Sequence, residues 1–574
     1  MRRVVARFLI STASCTLAST TLLTACGSGD KATAPTPVSL DSISPSKGTV
    51  GTEVRISGRG FTSASQVLFG TLASTSVQLQ NGVLFATAPS GLTAGSAYDV
   101  KVANGGTSAT LTAAFQAVAP SVSRVNGATL PTGLAGMTVL IEGAAFGDAR
   151  HGKVLFTNTG GSPIQATIAD SVNDWTDSFI VTTVPQGVTS TSQITVQTAT
   201  GTSAGVTFTL ISGASFSPST IAWTATTALP VALQGLGAAF VPAVTAAQPS
   251  NYVYVVGGAA DSTDVATTNV LRATVQQTGA LGSWTSGAAL TALPAARAYH
   301  ALVAATPYNA AVDTTTGKGF LYAIGGLDAS GTAVNTVYYA KIATDGSLGT
   351  WQTGTALPVT LHSASAVLFR GYIYLAGGAD GTNAPSAATY RAAVASDGSI
   401  GAWQALSSLP EKTGYYSLLN FGPYLYAVGG DSGVVVADQG TTTGTEVSGA
   451  YLARINLRDG TLGTTGWTTI SSLSKARSKH NTVPAGGYLF TTSGVYSGAA
   501  GSSENTYTTI NSDGTIGSWT GATGVNTIGA VLGYDLYNEA AVSFVDATGK
   551  GHVLVLGGAK RQQPGRASAG VVYY

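Results

Sequence analysis

"YLYAVGG", Tyr424 to Gly430, is the stretch that decides how the second half of this chain folds. A short apolar run rich in Tyr, Leu and Val meets two glycines. The same shape ends at Gly258 ("YVYVVGG"), Gly326 ("FLYAIGG"), Gly378 ("YIYLAGG") and Gly558 ("HVLVLGG"), with a weakened copy, "YLFTTSG", at Gly494. Runs of this length and composition, closed by turn residues, are strands buried on both faces. A strand that ends where backbones crowd needs a freely rotating residue without a Cβ, and glycine is that residue.

A second string recurs downstream of each copy. It reads "DGSLGTW" (Asp345 to Trp351), "DGSIGAW" (Asp397 to Trp403) and "DGTIGSW" (Asp513 to Trp519), with looser copies at Thr278–Trp284 and Asp459–Trp467. Between glycine pair and Asp-Gly lies another strand, such as "NTVYYAKIA" (Asn335 to Ala343). After the Trp come "ALP" or "SLP" and a strand of small residues such as "SASAVLF" (Ser363 to Phe369). The repeat therefore has four strands, and its insertions fall in loops. Asp-Gly supplies positive φ and a local side-chain-to-backbone bond, which is what a tight hairpin requires. The Trp offers a large ring to fill the wedge between neighbouring sheets. The string is read as a structural turn. A sialidase-type Asp box spaces Asp, Gly and Trp differently: here Gly follows Asp directly and Trp is the sixth residue after Asp345.

Four strands at roughly 50 residues per repeat, with a glycine pair closing the second, resemble the kelch repeat of β-propellers. The resemblance covers about 218–574 and recurs six times, implying a six-bladed kelch-type β-propeller. The last copy stops at Tyr574 after its third strand. The region opens with an orphan, "TIAWTATTALP" (Thr220 to Pro230), that carries Trp223. One strand from each end is expected to complete a single blade and close the ring, leaving no free sheet edge.

Upstream, two segments share a pattern. Ser42–Gly70 and Val122–Phe156 each carry alternating apolar residues and a Gly-x-x-Phe turn (Gly58/Phe61, Gly143/Phe146). Each is followed by a Pro-x-Gly turn (Pro89/Gly91, Pro185/Gly187). Alternation with turns at such spacing is a β-sandwich signature. Both resemble the immunoglobulin-like IPT/TIG family, over 40–117 and 119–211. The fold expected is all-β: two immunoglobulin-like β-sandwiches, then the propeller at 218–574.

The N-terminus reads as an address. Arg2, Arg3 and Arg7 precede a stretch of apolar and small residues that is short for a membrane span, ending in "LTAC" at Cys26. This resembles the lipobox of bacterial lipoprotein signals. It implies a signal peptide at 1–25, lipidation of Cys26 and membrane attachment through the acyl chains. Residues 26–39 then form a flexible tether, and Gly27 points to the outer membrane or cell surface of the envelope. Cys15 falls in the signal, so the mature chain holds no thiol for disulfides, zinc-thiolate sites or a Cys nucleophile. Galactose oxidase-like enzymes join a kelch propeller to immunoglobulin-like modules too, but their Tyr–Cys crosslink has no counterpart here. With 9% charged residues and a net charge of +1, no field is available to attract nucleic acid.

Candidate ligand-binding residues cluster before the small-residue strands: Arg297, Tyr299 and His300; His362; Lys412, Tyr415 and Tyr416; Arg477, Lys479 and His480; Tyr534 and Tyr537. Tyr and Arg combine contact area with a hydrogen-bonding tip. Asp261, Asp328, Asp380 and Asp431 follow glycine pairs and are expected around them, as turn residues or as a carboxylate ring for Ca²⁺ or a polar ligand. His300, His362 and His480 lie in different repeats with no acidic residue at a fixed offset. They are assigned no metal, and no cofactor or catalytic residue is expected. The expected function is non-enzymatic binding of a protein or carbohydrate ligand by the propeller, held off the membrane by the two sandwiches. The alternative is a glycan-processing or oxidase-like enzyme. A fold alone does not choose between them.

Overall fold

The computed structural model describes residues 36–573 except 129–130, 172, 190, 212–215, 244–249, 261–264, 277, 288–289, 307–309, 311, 313–316, 436–444, 497–503, 522–526, 546–549, 561–567 and 569. Cys26, the tether before residue 36, and Asp261 lie outside the described residues. The fold is all-β, and the described residues include a short helix at Ile528–Leu532 and a 3-10 turn at Pro218–Thr220.

Residues 39–117 form two facing sheets. One runs in the order Ser39–Ser44, Glu53–Arg59, Val83–Thr87, Val77–Gln80. The other runs Lys47–Gly48, Thr107–Ala117, Ala97–Asn104, Gln66–Phe69, Leu72–Ala73. Alternation along these strands turns Val54, Ile56, Phe69, Val100, Val102 and Phe115 inward, with Phe69 and Phe115 edge to face at 5.0 Å. The next unit repeats the order, without a counterpart of Val77–Gln80 among the described residues and with Gly201–Thr202 added beside Thr191–Thr198. Ser121–Val125, Thr138–Ala144 and Phe179–Thr183 face Thr132–Gly133, Val206–Leu210, Thr191–Thr198, Gly152–Asn158 and Pro163–Gln165. The Gly-x-x-Phe motif has the same cause in both. A Cβ on Gly58 would stand 2.7 Å from the Phe61 ring and 2.1 Å from the Ser39 carbonyl. On Gly143 it would stand 2.5 Å from Phe146 and 1.9 Å from the Ser121 carbonyl. The ring lies flat on a glycine because nothing larger leaves room.

Among the described residues six larger sheets follow, with three small ones beside them (Leu233–Gln234 with Ala259–Ala260 and Val265–Ala266; Arg477–Ser478 with Val495–Tyr496; Leu536–Tyr537 with Ala559–Lys560). Sheet I contains Gly237–Val241, Asn251–Val256 and Val270–Val275, extended by a bridge from Arg272 to Thr285. Sheet II contains Ala301–Ala305, Gly319–Ile324, Val337–Ile342 and Gln352–Thr353. Sheet III contains Ser365–Phe369, Tyr372–Ala376, Thr389–Ala393 and Gln404–Ala405. Sheet IV contains Ser417–Phe421, Tyr424–Val428, Ala450–Ile455 and Leu462–Thr469. Sheet V contains Asn481–Ala485, Tyr488–Thr492, Thr506–Thr509 and Thr520–Gly521. Sheet VI joins Ala540–Val545, Gly551–Leu556 and Val571–Tyr573 to Thr224–Ala225 from far upstream, with Thr224 opposite Tyr573 and Ala225 opposite Val572. The first strands pack side by side from I to VI, and that of VI packs on that of I.

Sheets I to V are tied each to the next at the Asp-Gly end. Asp345, Asp397, Asp459 and Asp513 accept from the backbone N–H and hydroxyl of the Ser or Thr two residues on, at 2.6–3.0 Å. The turn is then gripped from the preceding sheet. The Tyr254, Tyr322, Tyr374 and Tyr426 hydroxyls donate to the carbonyls of Gly346, Gly398, Gly460 and Gly514. Each Trp indole N–H reaches back in turn: Trp351 to Thr291, Trp403 to Thr355, Trp467 to Ser407, Trp519 to Ser471.

The second two-sheet unit is in contact with the larger sheets. It packs on the hairpins joining the first two strands of sheets III, IV and V. Gly127 abuts Arg370, Met137 abuts Gly422, and Leu134 and Ile211 abut Gly487. Ion pairs of 2.7 Å link Glu142 to Arg370 and Asp174 to Arg458. The apolar core of the unit runs on into Leu419, Phe421 and Leu489.

Candidate functional site: an axial cavity with one closed end

Ahead of each first strand sits one residue at positive φ: Gly235, Tyr299, Ser363, Tyr415, Lys479 and Asn538, all between 51° and 55°. Their backbones form a closed circle. The N–H of Tyr299 donates to Gly235, Ser363 to Tyr299, Tyr415 to Ser363, Lys479 to Tyr415, Asn538 to Lys479, and Gly235 to Asn538, at 2.7–3.2 Å. Three side chains of the circle fill its middle. Tyr299 and Tyr415 meet edge to face at 5.8 Å, and the Lys479 ammonium lies 5.1 Å over the Tyr415 ring. A Cβ on Gly235 would meet the Tyr299 ring at 2.6 Å, so the glycine at that point makes room for the plug. Beneath it lies a cavity of about 440 Å³ lined by the first strands of all six sheets.

The next residue along five of the strands, Leu236, His300, Tyr416, His480 or Glu539, leans toward the preceding sheet; in sheet III that place is taken by Ala364. Here the glycine pair shows its purpose. Cβ atoms on Gly257, Gly377 and Gly429 would stand 2.9, 2.5 and 2.6 Å from the rings of His300, Tyr416 and His480. The first glycine accommodates the neighbour's side chain. The second, at φ of 89–115° in the five full copies, lies against the backbone of its own first strand. Tyr416 donates its hydroxyl to the Ala376 carbonyl. In sheet V the first glycine is replaced by Ser493, at φ 49°. Its neighbour is a carboxyl: Glu539 accepts from Thr492 Oγ1 at 3.2 Å, while its Oε2 has no hydrogen-bond partner among the described residues. Burial pushes Glu539 up to about 7, with the Thr492 bond and Arg477 opposing. Burial, with Arg477 or Arg297 alongside, lowers His480 and His300 to about 3, so both are neutral imidazoles.

The structure encloses most of the residues that the sequence marks as ligand-facing. Arg297 is buried, donates to the Ala296 carbonyl and Thr336 Oγ1, and lies 5.0 Å over the Tyr338 ring. Arg477, 1% exposed, donates to the Ser493 and Glu504 carbonyls. His362 is held between Ser363 Oγ and Asn383 Oδ1, both at 3.0 Å. Tyr299, His300, Tyr415, Tyr416, Lys479, His480 and Tyr537 are buried too. Lys412 is exposed. Tyr534 is half-buried, bonded to Ser568 Oγ at 2.8 Å under the Lys560 ammonium. Asp328 and Asp380 accept from backbone N–H groups two and four residues on, so their carboxylates cap their own loops. Asp431 is buried, accepting from Gly433 N–H and Thr445 Oγ1. Among the described residues no group of three or more His, Cys, Asp or Glu comes together to hold a metal ion. Among the same residues, no helix is long and apolar enough to cross a membrane.

A family model described as the IPT/TIG domain matches residues 37–116. That stretch is an IPT/TIG domain. The IPT/TIG domain touches the next unit through Thr52, which donates to Asp177 at 2.6 Å, and through Thr49, which bonds Thr198. No curated protein matches the chain. The solved structure titled "Structure of YjhT" is similar at 13% identity, covering 60% of this chain and 95% of that one, with a TM-score of 0.41.

Proposed function

We propose that residues 218–574 are a six-bladed kelch-type β-propeller closed by its N- and C-terminal strands, and that residues 119–211 are a second IPT/TIG-like sandwich. On this reading the protein is a lipoprotein, anchored through Cys26 at the outer membrane or cell surface, that binds a carbohydrate or protein ligand through the propeller. Several features support the architecture: the return of first-strand packing from sheet VI to sheet I, the pairing of Thr224–Ala225 with Val571–Tyr573, and the circle of six backbone bonds. The observation that carries the binding function is the cavity. It is concave, enclosed at one end, within the size range of small-molecule sites, and bordered by aromatic and polar groups. The docked second unit holds the Asp-Gly side of sheets III–V.

The test is a glycan array combined with an envelope pull-down, using the purified full chain. Saturable capture of a glycan or an envelope component is the expected result. Absence of any saturable binding in both arms would contradict the reading. The anchor has its own test: intact-mass analysis should show Cys26 as a diacylated or triacylated first residue, and an unmodified mature N-terminus elsewhere would overturn it.

A further inference from the structure

The first strand of each sheet is an edge strand, paired on one side only. Its other edge looks toward the axis, so the cavity wall is made of backbone N–H and C=O groups without a ladder partner. A buried backbone group left unpaired is costly, and such groups find side chains, water or ligand.

On one side of the cavity, side chains meet this need. Ser365 Oγ accepts from the Leu418 N–H of the next sheet at 3.1 Å. Ser417 Oγ accepts from the Thr482 N–H at 2.9 Å and donates to the His480 carbonyl. Asn481 Nδ2 donates to the Glu539 carbonyl at 2.6 Å. These stitches join sheets III to IV, IV to V and V to VI.

The same register holds Ala540, Gly237 and Ala301 in sheets VI, I and II, as the hairpin pairings align them. None carries a polar atom. The strand-edge N–H groups equivalent to those of Leu418 and Thr482 belong here to Ala238, Leu302 and Ala366. Among the described residues no bond from a neighbouring sheet reaches them. At this register the cavity is therefore lopsided: three junctions between sheets carry a side-chain stitch and three leave the backbone groups open. Three polar side chains that line it also keep unpartnered atoms among the described residues: both ring nitrogens of His300 and of His480, and Glu539 Oε2; His300 and Glu539 belong to the open half, His480 to the stitched one.

We infer that the open half, along sheets VI, I and II, is the subsite for a small, uncharged, hydroxyl-rich molecule of about monosaccharide size. The strand-edge amides and the His300 ring would bond its hydroxyls. The volume of about 440 Å³ sits toward the small end of ligand sites. Strand edges offer donors and acceptors but no net charge, which matches hydroxyl groups. The inference rests on reading residues 218–574 as a ligand-binding ring, and it names the ligand class and the half of the cavity that takes it.

The test installs the missing stitch. Ala301→Ser and Ala540→Ser place a hydroxyl where Ser365 and Ser417 have theirs, aimed at Ala366 N–H and Ala238 N–H. The probes are the methyl glycosides of glucose, galactose, mannose and N-acetylglucosamine, followed by saturation-transfer NMR on the purified full chain. The expected result is binding of at least one glycoside, weakened tenfold or more in the double variant, with Tm equal to or above that of the parent. Ser365→Ala, on the stitched half, should leave that affinity within about twofold while lowering Tm. Unchanged affinity in the double variant overturns the inference, as does the absence of binding by all four probes. A positive glycan array or pull-down alongside either negative result leaves the binding function standing and removes only this subsite. If the double variant does not fold, Ala301→Ser alone is the deciding variant, with at least a threefold loss expected and no loss overturning the inference.

Discussion

The two ends of the six sheets are built on opposite principles. At the Asp-Gly end one solution is repeated from sheet to sheet. A carboxylate caps its own loop, a Tyr from the preceding sheet grips the turn's carbonyl, and the solution is nearly the same each time. At the other end the side chain set into the space left by the neighbouring sheet varies, being Leu236, His300, Tyr416, His480 or Glu539, and in sheet III the equivalent residue is only Ala364. Repetition thus marks where a self-capped turn and one grip from the preceding sheet serve each copy. Variation marks where side chains pack differently between sheets, and the axial cavity begins at that varied end.

If this contrast is right, substitutions that disturb the contact between sheets should cost far more than substitutions in the turns. The largest loss is expected at Trp223, which is 1% exposed and packs against Phe490 beside the strand that joins the two ends of the region. Trp223→Ala should destabilise by about 3–5 kcal/mol, measured by urea unfolding of the full chain. A loss under ~1 kcal/mol would mean that the strand carries little of the ring.

Next comes the glycine pair. Gly377→Val puts a branched side chain at φ 58° against Tyr416 and the Thr413 carbonyl. It should cost about 2–4 kcal/mol from left-handed strain and overpacking together. A chain as stable as the parent would show that the first glycine is not kept for its neighbour's ring.

Glu539 sharpens the contrast through pH. Its folded value of about 7 lies above its ordinary value of 4.5. Between those two values the folded protein holds a proton that the unfolded chain has released. Stability therefore falls as pH rises from about 4.5 through 7, and the penalty is complete above 7. Glu539→Gln removes the titration. The variant should gain about 1–3 kcal/mol relative to the parent at pH 8 compared with the same difference at pH 4.5. A pH-independent difference between the two would place Glu539 in contact with solvent.

The smallest effect is expected at the turns. Asp397→Ala removes two bonds to Ser399 at an exposed site, and Tm should fall by about one or two degrees. A drop as large as that of Gly377→Val would erase the distinction between the two ends.

The same contrast explains what could be read in advance. The IPT/TIG domain, the all-β class and the turn strings rest on residues close in sequence, where alternation and Asp-Gly chemistry act over a few positions. The fate of Arg297, Tyr415 or Arg477 does not, because a Tyr or Arg ahead of a strand looks the same whether it meets solvent or the next sheet's carbonyls. Glu539 was legible only by aligning the copies: it occupies the place of His300, Tyr416 and His480, just where "YLFTTSG" has lost its first glycine. The docking of the second unit on sheets III–V was hidden for the same reason. Leu134, Met137 and Ile211 are ordinary apolar residues until Gly422 and Gly487 are known to lie beneath them.

Closure of the ring is the claim on which the rest depends, and a crosslink tests it most directly. Thr224 and Tyr573 are antiparallel partners from opposite ends of the region, within the Cα separation that a disulfide spans. With Thr224→Cys and Tyr573→Cys in the full chain and Cys15 and Cys26 replaced by Ser, mild oxidation should form an intramolecular disulfide in most molecules. It should be visible as faster migration without reductant and as linked peptides by mass spectrometry. Two thiols that stay free and separately alkylated in the folded protein would contradict a ring closed by these strands.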